Sequence, residues 1–137
     1  MQLILLSSSF YNEYGHLSEI LKKDSRSYSC IGIEHGGLLF AIPFCHHIKH
    51  KFAFSTFDES GLDYTKSVII LDKKYIDEAA PIIDQREFNM RKGKETQITN
   101  SLRRYIKIYK EAKNRLDIPR NKQLIQCSTL QYFEKYL

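Results

Sequence analysis

Tyr28-Ser29-Cys30-Ile31-Gly32-Ile33-Glu34-His35-Gly36-Gly37-Leu38-Leu39-Phe40-Ala41-Ile42-Pro43-Phe44, residues 28–44, reads as two strands folded on one turn. Tyr28 to Glu34 and Leu38 to Phe44 are short runs rich in β-forming residues. Between them, His35-Gly36-Gly37 supplies a tight turn, because glycine tolerates the positive φ that hairpin turns demand. Pro43 has no backbone N–H to give to a ladder, so it is expected to end the second strand or to sit at its rim.

On the N-terminal side, residues 2–6 read as a buried first strand. A basic n-region is missing and the polar run Ser7 to Ser9 follows at once, so a signal peptide is not expected. Glu13 to Lys23 reads as a short helix with Leu17, Ile20 and Leu21 on one face. On the C-terminal side, residues 45–63 read as a long loop, and long loops in small domains are commonly functional. Ser67 to Asp72 reads as a buried strand, and Ala79-Ala80-Pro81 as a break. Residues 94–116 carry the clearest helical period, with Ile98, Leu102, Tyr105, Ile106, Tyr109, Ala112 and Leu116 on one face. Ile118-Pro119 should end that helix, and a last one should start near Ser128 or Thr129. The order strand, helix, hairpin, strand, helices predicts one α+β domain over 1–137 with a mostly antiparallel sheet.

The 137 residues are 42% hydrophobic and 27% charged, a balance that suits one packed domain and excludes global disorder. No apolar run approaches the roughly 18 residues of a membrane helix, so no membrane partner is expected. Three cysteines without a CxxC argue against a disulfide framework and for a reducing cytoplasm. Cys30 and Cys127 read as small buried residues.

Charge is unevenly spread. Residues 86–122 hold 12 Lys/Arg against 4 Asp/Glu, a local +8, whereas residues 1–85 hold 8 against 11. Clustered cations point to an anionic partner such as nucleic acid, or else to a solvated helix face. Arg103, Lys107 and Lys110 line a face of the long helix away from its apolar stripe, with Arg104 beside them.

The densest chemical segment is Cys45-His46-His47-Ile48-Lys49-His50-Lys51, which follows a strand end at Pro43. Histidine titrates near neutral pH and serves as acid or base, and lysine offers a compact cation for a phosphoryl oxygen. Together they suffice for metal-free RNA cleavage: a base takes the 2′-hydroxyl proton, an acid protonates the leaving 5′-oxygen, and a cation steadies the phosphorane. Metal binding, a non-catalytic RNA-binding loop and a plain solvated loop remain open alternatives. Among the tyrosines, Tyr28 and Tyr64 are the candidates for stacking on bases.

The stretch Gly37 to Lys51 resembles the TenpN (TenpIN-family) toxins of type III toxin–antitoxin systems. So do Gly61-Leu62-Asp63-Tyr64-Thr65-Lys66-Ser67-Val68-Ile69-Ile70, the opening Leu5 to Tyr11 and the closing Ser128-Thr129-Leu130-Gln131. More distantly the chain is similar to ToxN and AbiQ. That resemblance implies a twisted, partly barrel-like antiparallel sheet flanked by helices, as in Kid/MazF-like toxins. It implies a cytoplasmic bacterial endoribonuclease that needs no metal or other cofactor. It also implies a partner, a pseudoknot antitoxin RNA that the toxin processes and that inhibits it in a closed protein–RNA assembly. In the ToxN group the Pro-led segment presents Thr, Ser and then Lys; here Cys45 and His46 stand at the first two places, and Lys49 lies one residue further along. On this reading Cys45, His46, His47 and Lys49 form the catalytic set. His50, Lys51, Tyr28, Tyr64 and Lys66 position RNA, and Arg103, Arg104, Lys107 and Lys110 bind phosphates.

Overall fold

The expected hairpin forms the middle of the sheet: β2 (Ser29–His35) and β3 (Leu38–Cys45) pair antiparallel, with Ile31 opposite Ile42 and Ile33 opposite Phe40. Gly36 and Gly37 take φ of 60° and 77°, the left-handed turn that L side chains resist. The computed structural model describes residues 2–21, 29–79, 89 and 92–137. Within them, β1 (Gln2–Leu6) lies beside β2, and the remaining strands are β4 (Ala53–Ser55), β5 (Gly61–Asp63), β6 (Val68–Ile70) and β7 (Ile76–Asp77). All pairings are antiparallel. The order is β4-β5-β3-β2-β1-β7, with β6 also on β3, and among the described residues the sheet is open.

Pro43 lies inside β3 rather than at its end. On one side it faces Cys30 of β2. On the other, β6 stops opposite Ala41 and β5 begins opposite Phe44, so the proline occupies the gap where β3 changes partner. A missing N–H costs least at such a gap.

Three α-helices are described: α1 (Ser8–Tyr14), α2 (Glu95–Lys113) and α3 (Pro119–Cys127). The first helix is not the expected Glu13 to Lys23 but Ser8–Tyr14; residues 15–20 are turns and bends, and residues 22–23 lie outside the described residues. The Ser7 side chain accepts from the Phe10 N–H and caps a helix that starts earlier than the apolar spacing predicts. Gly15 closes it. The long helix buries Ile98, Leu102, Tyr105, Ile106, Tyr109 and Ala112 as expected, whereas Leu116 lies beyond its end and is exposed. Pro119 does not end α2, which already stops at Lys113 with Asn114 as its cap. It occupies the first turn of α3, where its fixed φ suits the helix and its missing N–H is no loss. Ser128 caps the next element as expected, but that element is a 3-10 turn, Thr129–Tyr132.

One buried cluster joins the central strands to α2 and to the C-terminal turns through Leu130 and Phe133. Phe10 and Tyr14 of α1 pack edge-on against Tyr75, and Tyr14 also meets Phe133. The Thr129 hydroxyl donates to the carbonyls of Ser67 and Thr65, tying the C-terminal turn to the chain just before β6. Among the described residues, no helix is long and apolar enough to cross a membrane.

Candidate functional site

The predicted long loop at 45–63 is mostly a small second hairpin. β3 ends at Cys45, the chain turns through residues 46–52, and β4 and β5 then pair with Phe54 opposite Leu62. The loop is held from across this hairpin, and the grips run one to one. His46 Nδ1 and Ser60 Oγ share a hydrogen bond of 2.6 Å. Lys49 Nζ donates to Glu59 at 2.7 and 2.5 Å. His50 Nε2 meets the Asp63 carboxylate at 3.1 and 3.2 Å. A backbone bond from Ile48 N–H to the Glu59 carbonyl, 2.8 Å, completes the seam. The basic segment is therefore an ordered loop with its side chains at the surface.

The histidines differ in what they can do. At His50, Nδ1 accepts from the Phe52 N–H at 3.1 Å, so the neutral ring carries its proton on Nε2, facing Asp63. Asp63 is in turn held by the Thr65 N–H and hydroxyl at 2.9 and 2.6 Å. Both nitrogens of His50 are committed, which makes it a brace. His46 is exposed and commits only Nδ1; among the described residues nothing bonds its Nε2. His47 is exposed and sits at φ 58°, a left-handed conformation that non-glycine residues seldom adopt and that is enriched at functional sites. Glu59 lies below the usual carboxylate range, chiefly through its bond from Lys49, with a further contribution from His47. Lys49 and Glu59 are thus paired at the surface of this loop.

Three other expected site residues sit elsewhere. Cys45 is buried beneath the loop, where Gly61 faces it across the β3–β5 ladder, so its thiol is removed from an incoming strand. Tyr64 is only 2% exposed; its ring stacks on Tyr105 at 6.4 Å and its hydroxyl donates to the Ile98 carbonyl at 3.0 Å. It is a core residue and has no face left for a base. Lys66 points its ammonium at Glu19, 3.1 Å away, and at the Cys127 carbonyl, so its charge is spent inside the fold. Tyr28 lies outside the described residues. Of the other cysteines, Cys30 is buried, which pushes its thiol pKa up, whereas Cys127 is exposed, contrary to expectation. Lys51 stays on the surface with its ammonium 5.5 Å over the Phe52 ring.

Arg103, Arg104, Lys107 and Lys110 are all exposed on α2, and none makes an ion pair among the described residues. The i, i+4, i+7 spacing puts Arg103, Lys107 and Lys110 opposite the buried face. Phe52 packs on Tyr105 at 5.6 Å, so the middle of α2 runs beside the end of the histidine loop.

Ser60, Glu59 and Asp63 did not stand out in the sequence, where they are ordinary polar residues near a glycine. The only local signal is Gly61: a Cβ there would lie 2.1 Å from the Phe54 carbonyl oxygen, so only glycine allows this crossing. Among the described residues, no group of three His, Cys, Asp or Glu side chains is placed to hold a metal ion. No family model matches the chain, and neither a curated protein nor a solved structure matches it significantly.

Proposed function

We propose that the chain is a metal-independent endoribonuclease, the toxin of a type III toxin–antitoxin system of the TenpN kind. The observation that carries this reading is the ordered loop at the end of β3, which exposes His46, His47 and Lys49 together. One histidine takes the 2′-hydroxyl proton, and the freed oxygen attacks phosphorus. The other protonates the departing 5′-oxygen, leaving a 2′,3′-cyclic phosphate and a 5′-hydroxyl. Lys49 neutralises the charge that gathers on the phosphorane. Its present partner Glu59 is exposed, and exposed ion pairs are weak enough for a phosphate to displace.

The exposed cations of α2 suit a second, larger contact, the phosphates of a pseudoknot antitoxin RNA in a closed protein–RNA assembly. On this reading the open sheet is a variant of the twisted, partly barrel-like Kid/MazF-like arrangement. The biological role would be growth arrest or abortive phage infection in a bacterial cytoplasm. The same basic surface also supports a runner-up, an RNA-binding module without catalysis.

Incubating the protein with the transcript encoded just upstream, in EDTA, tests the proposal. Fragments ending in cyclic phosphate are expected. Tight binding with intact RNA favours the binding module, and cleavage that stops in EDTA and returns with one particular metal overturns the metal-free step.

A further inference from the structure

Ser60 is 6% exposed, yet its hydroxyl reaches an exposed histidine. Its backbone is fixed from both directions. The Ser60 N–H donates to the Phe57 carbonyl at 2.9 Å, and the Ser60 carbonyl accepts from the Thr56 N–H at 2.9 Å. Gly61, crossing close over Phe54, pins the next residue. The hydroxyl therefore stands on a rigid frame, and the imidazole comes to it. A 180° flip of the ring would replace Nδ1 by a carbon and lose the bond, so one ring orientation is selected. With Nδ1 occupied, Nε2 is the nitrogen left to exchange a proton.

We propose that Ser60 is the positioning residue of His46, holding Nδ1 so that Nε2 faces the reacting phosphodiester. The substrate named here rests on the ribonuclease reading; the orientation of the ring does not. Ser60 touches no reacting atom and acts only through His46. The arrangement separates His46 from His50, whose two nitrogens are both consumed within the fold.

Nitrogen-15 NMR of the histidine side chains tests the proposal without RNA. In the parent protein, His46 should show a hydrogen-bonded Nδ1 and a tautomer ratio unlike that of an unconstrained histidine side chain. Ser60→Ala should return both to the free values, and Ser60→Thr should restore them. In RNA cleavage, Ser60→Ala should lower kcat about tenfold or more with little change in KM, and Ser60→Thr should recover most of it. A parent His46 with the ratio of an unconstrained histidine side chain overturns the proposal, and this readout stands even if Ser60→Ala fails to fold. A folded Ser60→Ala protein with unchanged His46 nitrogens or unchanged kcat overturns it too. A parent that shows the nitrogen signature but cuts no RNA supports the Ser60–His46 arrangement and instead removes the ribonuclease reading.

Discussion

Nε2 of His50 lies 3.1 Å from Oδ1 of Asp63, and this contact closes the base of the loop that exposes His46 and His47. Asp63 accepts from three donors: His50, the Thr65 N–H and the Thr65 hydroxyl. Replacing it by Ala strands the two buried Thr65 donors and frees His50, and should cost about 2 kcal/mol of stability. His50→Ala should also lower the urea midpoint. By contrast, His46→Ala should leave the midpoint nearly unchanged. Equal midpoints for all three proteins would remove the distinction between brace and working histidine.

His46→Ala, His47→Ala and Lys49→Ala should differ in single-turnover RNA cleavage. A true acid or base should lose roughly 100-fold or more, and Lys49 a comparable factor, with antitoxin affinity little altered. His46 should be one of the two sensitive histidine positions, because its Nε2 is uncommitted. Three variants that cut at the parental rate and stay toxic in cells without antitoxin would show that the chemistry lies elsewhere.

Gly61→Ala should disturb fold and site together. Its Cβ would meet the backbone oxygen of Phe54, which has no rotamer by which to move aside. A loss of about 2 kcal/mol or more is expected, together with loss of the His46–Ser60 nitrogen signature. A Gly61→Ala protein as stable as the parent would mean that the β4–β5 crossing is looser than its geometry.

The α2 cations should govern affinity rather than rate. Removing Arg103 and Lys107 should weaken RNA binding and reduce the salt slope by about one unit per lost phosphate contact. Helicity should be unaffected, since both residues face away from the core. A salt slope identical to the parent's would show that RNA does not lie along this face.

Alkaline pH should destabilise the fold through its buried tyrosines. Burial pushes the Tyr64 phenol up to about 12, and raises Tyr105 as well. The unfolded chain releases these protons near the ordinary tyrosine value of about 10. Stability should therefore be intact below that value and fall as pH rises from there towards the folded pKa, by about 1.4 kcal/mol per unit for each phenol. Tyr64→Phe should flatten this slope in urea titrations between pH 9 and 12 (roughly the window set by those values). An unchanged slope would exclude Tyr64 as a contributor.

The sequence by itself determined the local elements. Gly36-Gly37 between two β-rich runs specifies the central hairpin, and the three- and four-residue apolar spacing specifies α2 with its basic outer face. These are properties of neighbouring residues, which periodicity and φ preference read directly. The exposed histidine segment was legible for the same reason, since its density is local. Only the tertiary structure decided which of its members are committed and which are open. Ser60, Glu59 and Asp63 reach back across a hairpin to His46, Lys49 and His50, and that pairing depends on the register of β4 and β5. Tyr64 and Lys66 read as candidates to position RNA until Tyr105 covers the one and Glu19 neutralises the other from far along the chain. Pro43 looks like a strand end until β3 is seen to change partner at that residue. Burial and charge pairing belong to the element that arrives from elsewhere, and a period of two or 3.6 residues carries no information about that arrival.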